Sequence, residues 1–378
     1  MALWLGIDDG TDEGLDEKAS DGEPLDPGAV RGDPGRIHQE GMTARVAVET
    51  ARESVAALVG ARSREVVFTS GATESIGAAT WGALERGASD GRRGVVLAAV
   101  EHSAVRQWAE RGDARVVGVD FRGRIDPDEL MAAVDDSTAL VHIQWANHEV
   151  GTIQPVAEVV ASCRDRGVLV HVDAAMAAGH LPIDFVGLGI DLMSISGHKF
   201  GAPTGTGALV VRRGLRIPPL LVGGDQERAR RAGLENVVGA IGFGAAASEA
   251  LGSLDAESAR STSLTDRVRA WAGATDGITV FGDPDHRLPH LVCLGLRGVE
   301  PQPVLIGLDQ AGVAVHSGSS CSTESLEPSP VLEAMGVDAH RSLRVSVGWN
   351  TTDADIDALL DALPGVIADL RALGAPAG

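Results

Sequence analysis

The chain of 378 residues has no tyrosine and few aromatic residues of any kind, at 3% of its composition. A surface that binds nucleic acid by stacking bases on aromatic rings therefore has little to work with. Its three cysteines, Cys163, Cys293 and Cys321, are widely spaced, which argues against both zinc ribbons and a disulfide framework. No uninterrupted apolar run approaches membrane-spanning length, and the N-terminus lacks the basic and apolar regions of a secretory signal. These absences predict a cytoplasmic protein that does not bind a membrane.

Positive charge is also scarce. Lys and Arg total 32 against 53 Asp and Glu, a net charge of −21, and this disfavours nonspecific binding to DNA or anionic lipid. Small anionic ligands in a local pocket stay possible. The phosphate-binding pattern GxxxxGK[ST] is absent, which argues against an NTPase.

Lysine is nearly absent: only Lys18 and Lys199 occur, and the other basic residues are arginine. Lys18 lies in an acidic N-terminal stretch, whereas Lys199 lies where an apolar strand leads into a Gly-rich turn. Arginine replaces lysine wherever only a charge is needed, but it cannot form a Schiff base with a carbonyl. Drift toward arginine explains the scarcity but not the location, so Lys199 is a candidate to bind an aldehyde cofactor.

The order of apolar runs predicts an α/β protein in three parts. Residues 1–36 form an acidic, partly irregular N-terminal segment, residues 37–253 a large α/β domain, and residues 254–378 a smaller C-terminal α+β domain. Continuous apolar strands alternating with helices indicate a mainly parallel sheet with helices on both faces. The predicted strands are 65–69, 94–100, 139–144, 167–172, 192–196, 207–211, 291–296, 313–316 and 343–347. The main predicted helices are 42–58, 301–311 and 353–373.

Several chemically apt residues follow the ends of these strands, where open α/β sheets bind their ligands. Residues 68–75 read as a strand, a glycine turn and a helix start, which could hold a phosphate or could be an ordinary helix cap. Asp173 could pair with a protonated pyridine nitrogen, or could equally cap a helix. His102 could stack on a flat ring and move protons, or could be a solvated loop histidine.

Two further candidates lie in the C-terminal part. Strand alternation places Arg344 on the face opposite Leu343 and Val345, where it suits a substrate carboxylate; a surface arginine is the alternative. Cys321 lies in a stretch rich in Gly and Ser, which predicts an exposed, mobile and reactive thiol. Cys293 lies in an apolar strand and Cys163 on a helix, and both are predicted to be structural.

Taken together, these segments resemble the class V, fold-type I pyridoxal-phosphate enzymes, and most closely the cysteine desulfurases of the bacterial iron–sulfur and nitrogen-fixation type. The matching segments, in the family's order, are 69–75, 101–105, 146–151, 171–174, 196–199, 317–321 and 344–348.

The resemblance implies a fold-type I transferase that uses pyridoxal 5'-phosphate to convert L-cysteine to L-alanine. It implies these roles: Ala72, Thr73, Ser196 and His198 at the phosphate, His102 on the ring, Asp173 at the pyridine nitrogen, Lys199 as the Schiff-base lysine, Arg344 at the substrate carboxylate and Cys321 as the thiolate that takes the sulfur. It also implies a homodimer, and a protein sulfur acceptor to which the Cys321 persulfide is passed, with no nucleic acid bound directly.

Four departures from the family pattern keep other functions open. The family's N-terminal loop has no counterpart in residues 1–30, and Leu234 replaces a threonine that reaches a phosphate across the dimer interface. At two cofactor-binding positions, His148 replaces an asparagine and Met176 replaces a glutamine that donates to the ring hydroxyl. The alternatives are a selenocysteine or cysteine-sulfinate lyase, for which Cys321 is less essential, and a catalytically impaired scaffold homologue.

Overall fold

The structure is a computed structural model, which describes residues 32–317 and 328–374. Within these ranges the strands form two sheets. The first contains β1 (Val66–Thr69), β2 (Gly94–Ala98), β3 (Asp113–Val117), β4 (Thr138–Gln144), β5 (Leu169–Asp173), β6 (Leu192–Ser196) and β7 (Gly207–Val211). Their spatial order is β1-β7-β6-β5-β4-β2-β3, and β7 alone runs against the others. The predicted mainly parallel sheet is confirmed.

Helices cover both faces of this sheet, as the continuous apolar strands predict. They are α1 (Gln39–Leu58), α2 (Ala72–Gly87), α3 (Ser103–Ala109), α4 (Pro127–Ala132), α5 (Val156–Asp165), α6 (Phe185–Leu188) and the short turn α7 (Gln226–Ala229). Successive residues of β4 show the two faces. Leu140 packs with Ala79 of α2, whereas Val141 packs in the cluster that contains Val159 of α5. Both faces of the strand are therefore buried.

The second sheet is smaller and antiparallel. It consists of β8 (Ile278–Phe281), β9 (Leu291–Leu296), β10 (His316–Ser317) and β11 (Ser342–Ser346), in the order β10-β11-β9-β8. The remaining helices are α8 (Val237–Gly273), α9 (Pro301–Gln310), α10 (Pro330–Ala334) and α11 (Asp353–Gly374). Of the strand predicted over 313–316, only His316 is in a strand.

Helix α8 connects the two sheets. Its first half packs Phe243 and Ala247 into the core of the first sheet, and its second half packs Leu264 and Val268 against the second. By length and composition alone α8 would also satisfy a membrane-span criterion, but it packs against α1 and both sheets. The predicted domain boundary after residue 253 falls inside this helix, and the division into domains stays a prediction.

Two histidines form a hydrogen-bonded line through the middle of the first sheet. The hydroxyl of Thr80 donates to the carbonyl of Ile76, so it accepts from Nε2 of His142, 3.1 Å away. Nδ1 of His142 then accepts from Nδ1 of His171 at 2.9 Å, and Nε2 of His171 accepts from the hydroxyl of Ser194 at 2.7 Å. Burial lowers the pKa of His142 to about 3 and the pKa of His171 well below its ordinary value. This order of hydrogen-bond donors and acceptors requires that both rings be neutral.

Candidate active site

The carboxyl ends of the parallel strands meet at one edge of the first sheet, where most of the predicted site residues lie. Ala72 and Thr73 follow β1, His102 follows β2, His148 follows β4, Asp173 and Met176 lie at the end of β5, and Ser196, His198 and Lys199 lie at the end of β6.

Asp173 is the last residue of β5 and is buried. Its carboxylate accepts the backbone N–H of Ala175 at 3.0 Å. Burial raises the pKa of Asp173, while that hydrogen bond and the charges of His102, His148 and Lys199 act in the opposite direction. A cation placed against this carboxylate would keep it ionised.

His102 and His148 lie beside each other at this edge. His102 is the N-cap residue of α3, where its Nδ1 accepts the N–H of Ala104 at 3.1 Å. Its ring centroid lies 5.1 Å from that of His148, with the planes inclined by 68°. His148 Nε2 lies 3.5 Å from a carboxylate oxygen of Glu149. The N-terminal end of α3 therefore holds His102 in place, which differs from a histidine in a solvated loop.

Lys199 lies in a short 3-10 turn, Gly197–Phe200, directly after β6. The turn ends at Gly201, whose φ of 92° is in the region that favours glycine. The hydroxyl of Ser196 lies 3.0 Å from Nδ1 of His198, and burial together with the charge of Lys199 lowers the pKa of His198. The turn thus presents a hydroxyl, an imidazole and a primary amine within four residues.

The turn between β1 and α2 is suited to an anion. Gly71 precedes the first helical residue, Ala72, and among the described residues no side chain caps this helix end. The backbone N–H groups of the first turn can therefore bind a phosphate oxygen. A Cβ atom at Gly207, on the neighbouring β7, would lie 2.5 Å from the Cα of Gly71, so only glycine permits this approach.

Arg344 belongs to the second sheet but reaches the edge of the first. Leu343 and Val345 are buried in the core of the second sheet, while the guanidinium of Arg344 donates to the carbonyl of His148 at 3.0 Å. The strand alternation inferred from the sequence therefore places this arginine beside the other candidates.

Cys321 lies outside the described residues, but both flanking segments are fixed near the site. Ser317 pairs with Leu343 in the small sheet, and the hydroxyl of Ser329 donates to the carboxylate of Glu149. The other two cysteines are buried. Burial raises the pKa of the Cys163 thiol to about 12 and that of Cys293 far above its ordinary range. Burial therefore favours the protonated form of both thiols at neutral pH.

The two nonpolar departures take different positions. Met176 packs against Leu288 and Leu291, and its thioether is no hydrogen-bond donor. Leu234 is 62% exposed and lines a cavity of about 240 Å³, together with Ser70 and Arg231. Within the described ranges, no group of three or more His, Cys, Asp or Glu side chains is placed to bind a metal ion.

Sequence reasoning missed a buried carboxyl group beside this site. Glu101 is buried next to His102, and one of its oxygens accepts the N–H of Gln144 at 2.8 Å. Its other oxygen has no partner among the described residues. Burial and the nearby charge of Asp173 raise the pKa of Glu101 to about 8, so it is largely protonated at neutral pH. Its position directly before His102, after a buried strand, was the only sequence signal.

The chain is similar to known proteins over most of its length. The pattern of the family described as aminotransferase class-V matches residues 29–359. A cysteine desulfurase of Gluconacetobacter diazotrophicus is 44% identical over 351 residues, which cover 90% of this chain and 87% of that protein. A solved NifS-like protein is 31% identical, with a TM-score of 0.83 over 90% of this chain and 92% of its own. SspA, solved in complex with cysteine, is 27% identical, with a TM-score of 0.73 over 84% of this chain and 91% of its own.

Proposed function

The chain belongs to the class-V aminotransferase family, and from this premise we propose that it is a pyridoxal-phosphate-dependent cysteine desulfurase. It converts L-cysteine to L-alanine and leaves the sulfur as a persulfide on Cys321. The observation that carries the proposal is the convergence of Lys199, Asp173, His102 and Arg344 at one edge of the sheet. A lyase that acts on selenocysteine or cysteine sulfinate, and a catalytically impaired scaffold, are the outcomes against which it is tested.

The residues at this edge fit pyridoxal phosphate. Lys199 supplies the amine, Asp173 the buried carboxylate for the pyridine nitrogen, and His102 a ring to stack on the cofactor. The uncapped N-terminus of α2, at Ala72 and Thr73, would hold the phosphate together with Ser196 and His198. His148 would also contact the cofactor, while Met176 offers it only a nonpolar contact. When bound, the cofactor withdraws electrons from the substrate α-carbon and makes its proton acidic.

Four side chains of this chain then act on the substrate. The guanidinium of Arg344 binds the carboxylate and so orients the α-carbon toward Lys199. The amine of Lys199 takes the α-proton, and His102 exchanges protons with the reacting groups. The thiolate of Cys321 attacks the substrate sulfur, so that an S–S bond forms and the C–S bond breaks. The electron pair of that bond stays with the β-carbon, which takes up a proton, and Lys199 returns a proton to the α-carbon to give alanine.

The experiment that tests the function is mass spectrometry after incubation with L-cysteine. We expect a mass increase of one sulfur on the peptide that contains Cys321, together with release of alanine. Cys321→Ser should abolish both persulfide and sulfide but leave the cofactor absorption band. Borohydride reduction followed by peptide mapping should place a pyridoxyl group on Lys199 and not on Lys18.

Each contrary result selects another function. A protein that never acquires the cofactor band is a scaffold. Cofactor without added sulfur on any cysteine favours the lyase, and sulfur on Cys163 or Cys293 contradicts the assignment of Cys321.

The proposal includes a homodimer in the cytoplasm that passes its persulfide sulfur to a protein acceptor. Several exposed nonpolar side chains are candidates for the dimer interface, because an interface removes nonpolar surface from water. Val222 is 78% exposed, and Leu234, Val238 and Val46 are exposed too. Sedimentation velocity should give a dimer for the wild type, and Val222→Asp should weaken it if this surface is the interface. A wild-type monomer at micromolar concentration would contradict this part.

A further inference from the structure

Two histidines outside the predicted site, His180 and His290, stack on each other beside the Lys199 turn. Their ring centroids are 3.8 Å apart and their planes are inclined by 30°. Nε2 of His180 lies 3.0 Å from the carbonyl oxygen of Lys199. Because a carbonyl only accepts, this nitrogen carries the proton. His180 thus holds the backbone of the residue that we propose carries the cofactor.

His290 connects the same stack to the strand of Arg344. It lies directly before β9, and its carbonyl accepts the N–H of Val347 at 3.0 Å, one residue beyond the end of β11. A continuous line of contacts therefore runs from Val347 through His290 and His180 to Lys199. It joins the second sheet to the first.

Burial favours the neutral form of both rings. Burial lowers the pKa of His290 well below its ordinary value, and the charges of His180, Lys199 and Arg344 act in the same direction. Burial also lowers the pKa of His180, as does the charge of Lys199, while its hydrogen bond to the Lys199 carbonyl and the charge of Glu257 oppose this. The stack therefore forms without repulsion between two cations.

The hydrogen bonding of His290 shows which property of its ring matters. The side chain is 5% exposed, and its Nδ1 has no partner among the described residues. A buried polar atom without a partner is unfavourable. In the described part of the chain, the ring packs its flat face against His180.

We propose that His180 and His290 are positioning residues, whose stacked rings hold the Lys199 turn and the Arg344 strand in one fixed relation. The proposal rests on the proposed roles of Lys199 and Arg344. Arg344 of the second sheet binds the substrate carboxylate, while Lys199 of the first sheet takes the α-proton of the substrate. A fixed relation between the two sheets keeps the α-carbon at the amine, and a misplacement of about 1 Å can slow a reaction about 100-fold.

Three variants separate stacking from hydrogen bonding. His290→Phe keeps a flat ring and removes the unpartnered nitrogen, His290→Ala removes the ring, and His180→Phe keeps the stack but removes the hydrogen bond to Lys199. His340→Ala is the control, because His340 is exposed. Two experiments are carried out on each variant. The first measures hydrogen–deuterium exchange of the peptide spanning 197–202 in the cofactor-free protein, and the second measures kcat and KM for L-cysteine.

We expect His290→Ala and His180→Phe to accelerate exchange in the 197–202 peptide about tenfold, because local opening becomes easier. They should lower kcat about tenfold, with a smaller change in KM. His290→Phe should match the wild type in both measurements and be at least as stable to heat, since it buries no unpartnered nitrogen.

Two results would overturn the inference. If His290→Phe loses as much as His290→Ala, the imidazole and not the stack is required. If exchange rises throughout β9 and β11 while kcat is kept, the pair has a purely structural role. Exchange in the cofactor-free protein needs no turnover, so its outcome stands even if the proposed desulfurase activity fails.

Discussion

The neutral pair His142–His171 predicts how this protein loses stability in acid. An unfolded histidine takes up a proton below its ordinary pKa of about 6.5, whereas His142 resists protonation until the pH is about 3. The unfolded state therefore binds more protons at this site between these two values, so the stability contributed by the neutral His142 falls as the pH falls through 6.5, and this loss stops growing near pH 3. From pH 7 to pH 5 the linkage relation gives a loss of about 2 kcal/mol from His142. His171 acts in the same direction.

The perturbation that isolates this effect is His142→Gln. A glutamine amide donates from nitrogen and accepts at oxygen, so it can serve Thr80 and His171 without being titratable. Urea unfolding can be followed by the fluorescence of the six tryptophans at pH 7, 6 and 5. The variant should lose about 2 kcal/mol less than the wild type between pH 7 and 5.

The exposed residue His340 provides the matched control. His340→Gln removes a histidine that is not buried, and its acid loss should equal that of the wild type. If His142→Gln loses as much free energy of unfolding between pH 7 and 5 as the wild type, His142 takes up a proton in the folded state. The neutral hydrogen-bond arrangement of His142 and His171 would then be wrong.

Three other predictions concern the site. Arg344→Ala should lower kcat/KM for L-cysteine by the equivalent of about 2–4 kcal/mol of lost transition-state binding, with the cofactor absorption band unchanged. An unaltered kcat/KM in a folded variant would rule out carboxylate binding by Arg344. Met176→Gln should tighten the affinity for pyridoxal phosphate by adding a donor, as measured by cofactor titration of the apo-protein; equal or weaker affinity contradicts that position for the ring hydroxyl. Glu101 retains its proton to about pH 8 in the folded protein, so its contribution to stability falls as pH rises from about 4.5 to 8, opposite in sign to that of His142, and the stability of the wild type relative to Glu101→Gln should fall over this range. Parallel stability curves for the two proteins would show that Glu101 is ionised at neutral pH.

Strands that are buried on both faces were predictable from the sequence. The predicted bounds of 192–196, 207–211 and 291–296 match β6, β7 and β9, because each is a short, mostly nonpolar run that is buried throughout. β3 (Asp113–Val117) was not predicted, since it is an edge strand with exposed residues and no such run. The antiparallel direction of β7 was also missed, because its burial pattern does not depend on direction.

The site was predictable only as far as residues follow strand ends. Asp173, His102 and Lys199 share that position, and the parallel sheet brings such positions to one edge. The stack of His180 on His290 joins segments 110 positions apart, and no local pattern announces it. The protonation of Glu101 likewise depends on burial by neighbouring strands and on Asp173, which its own sequence neighbours do not report.

Helix α8 makes the two sheets mechanically inseparable. A cut or insertion near its middle would place Phe243 and Leu264 on two separate helices. Each helix would then pack against one of the two cores only. With a rise of about 1.5 Å per residue, each half extends roughly 27 Å, so a bend of about one degree at the centre would move an end by about 0.5 Å. A small bend at the middle of α8 therefore shifts one sheet relative to the other. Small side chains at that position thus affect the alignment of the sheets more than their own contacts would suggest.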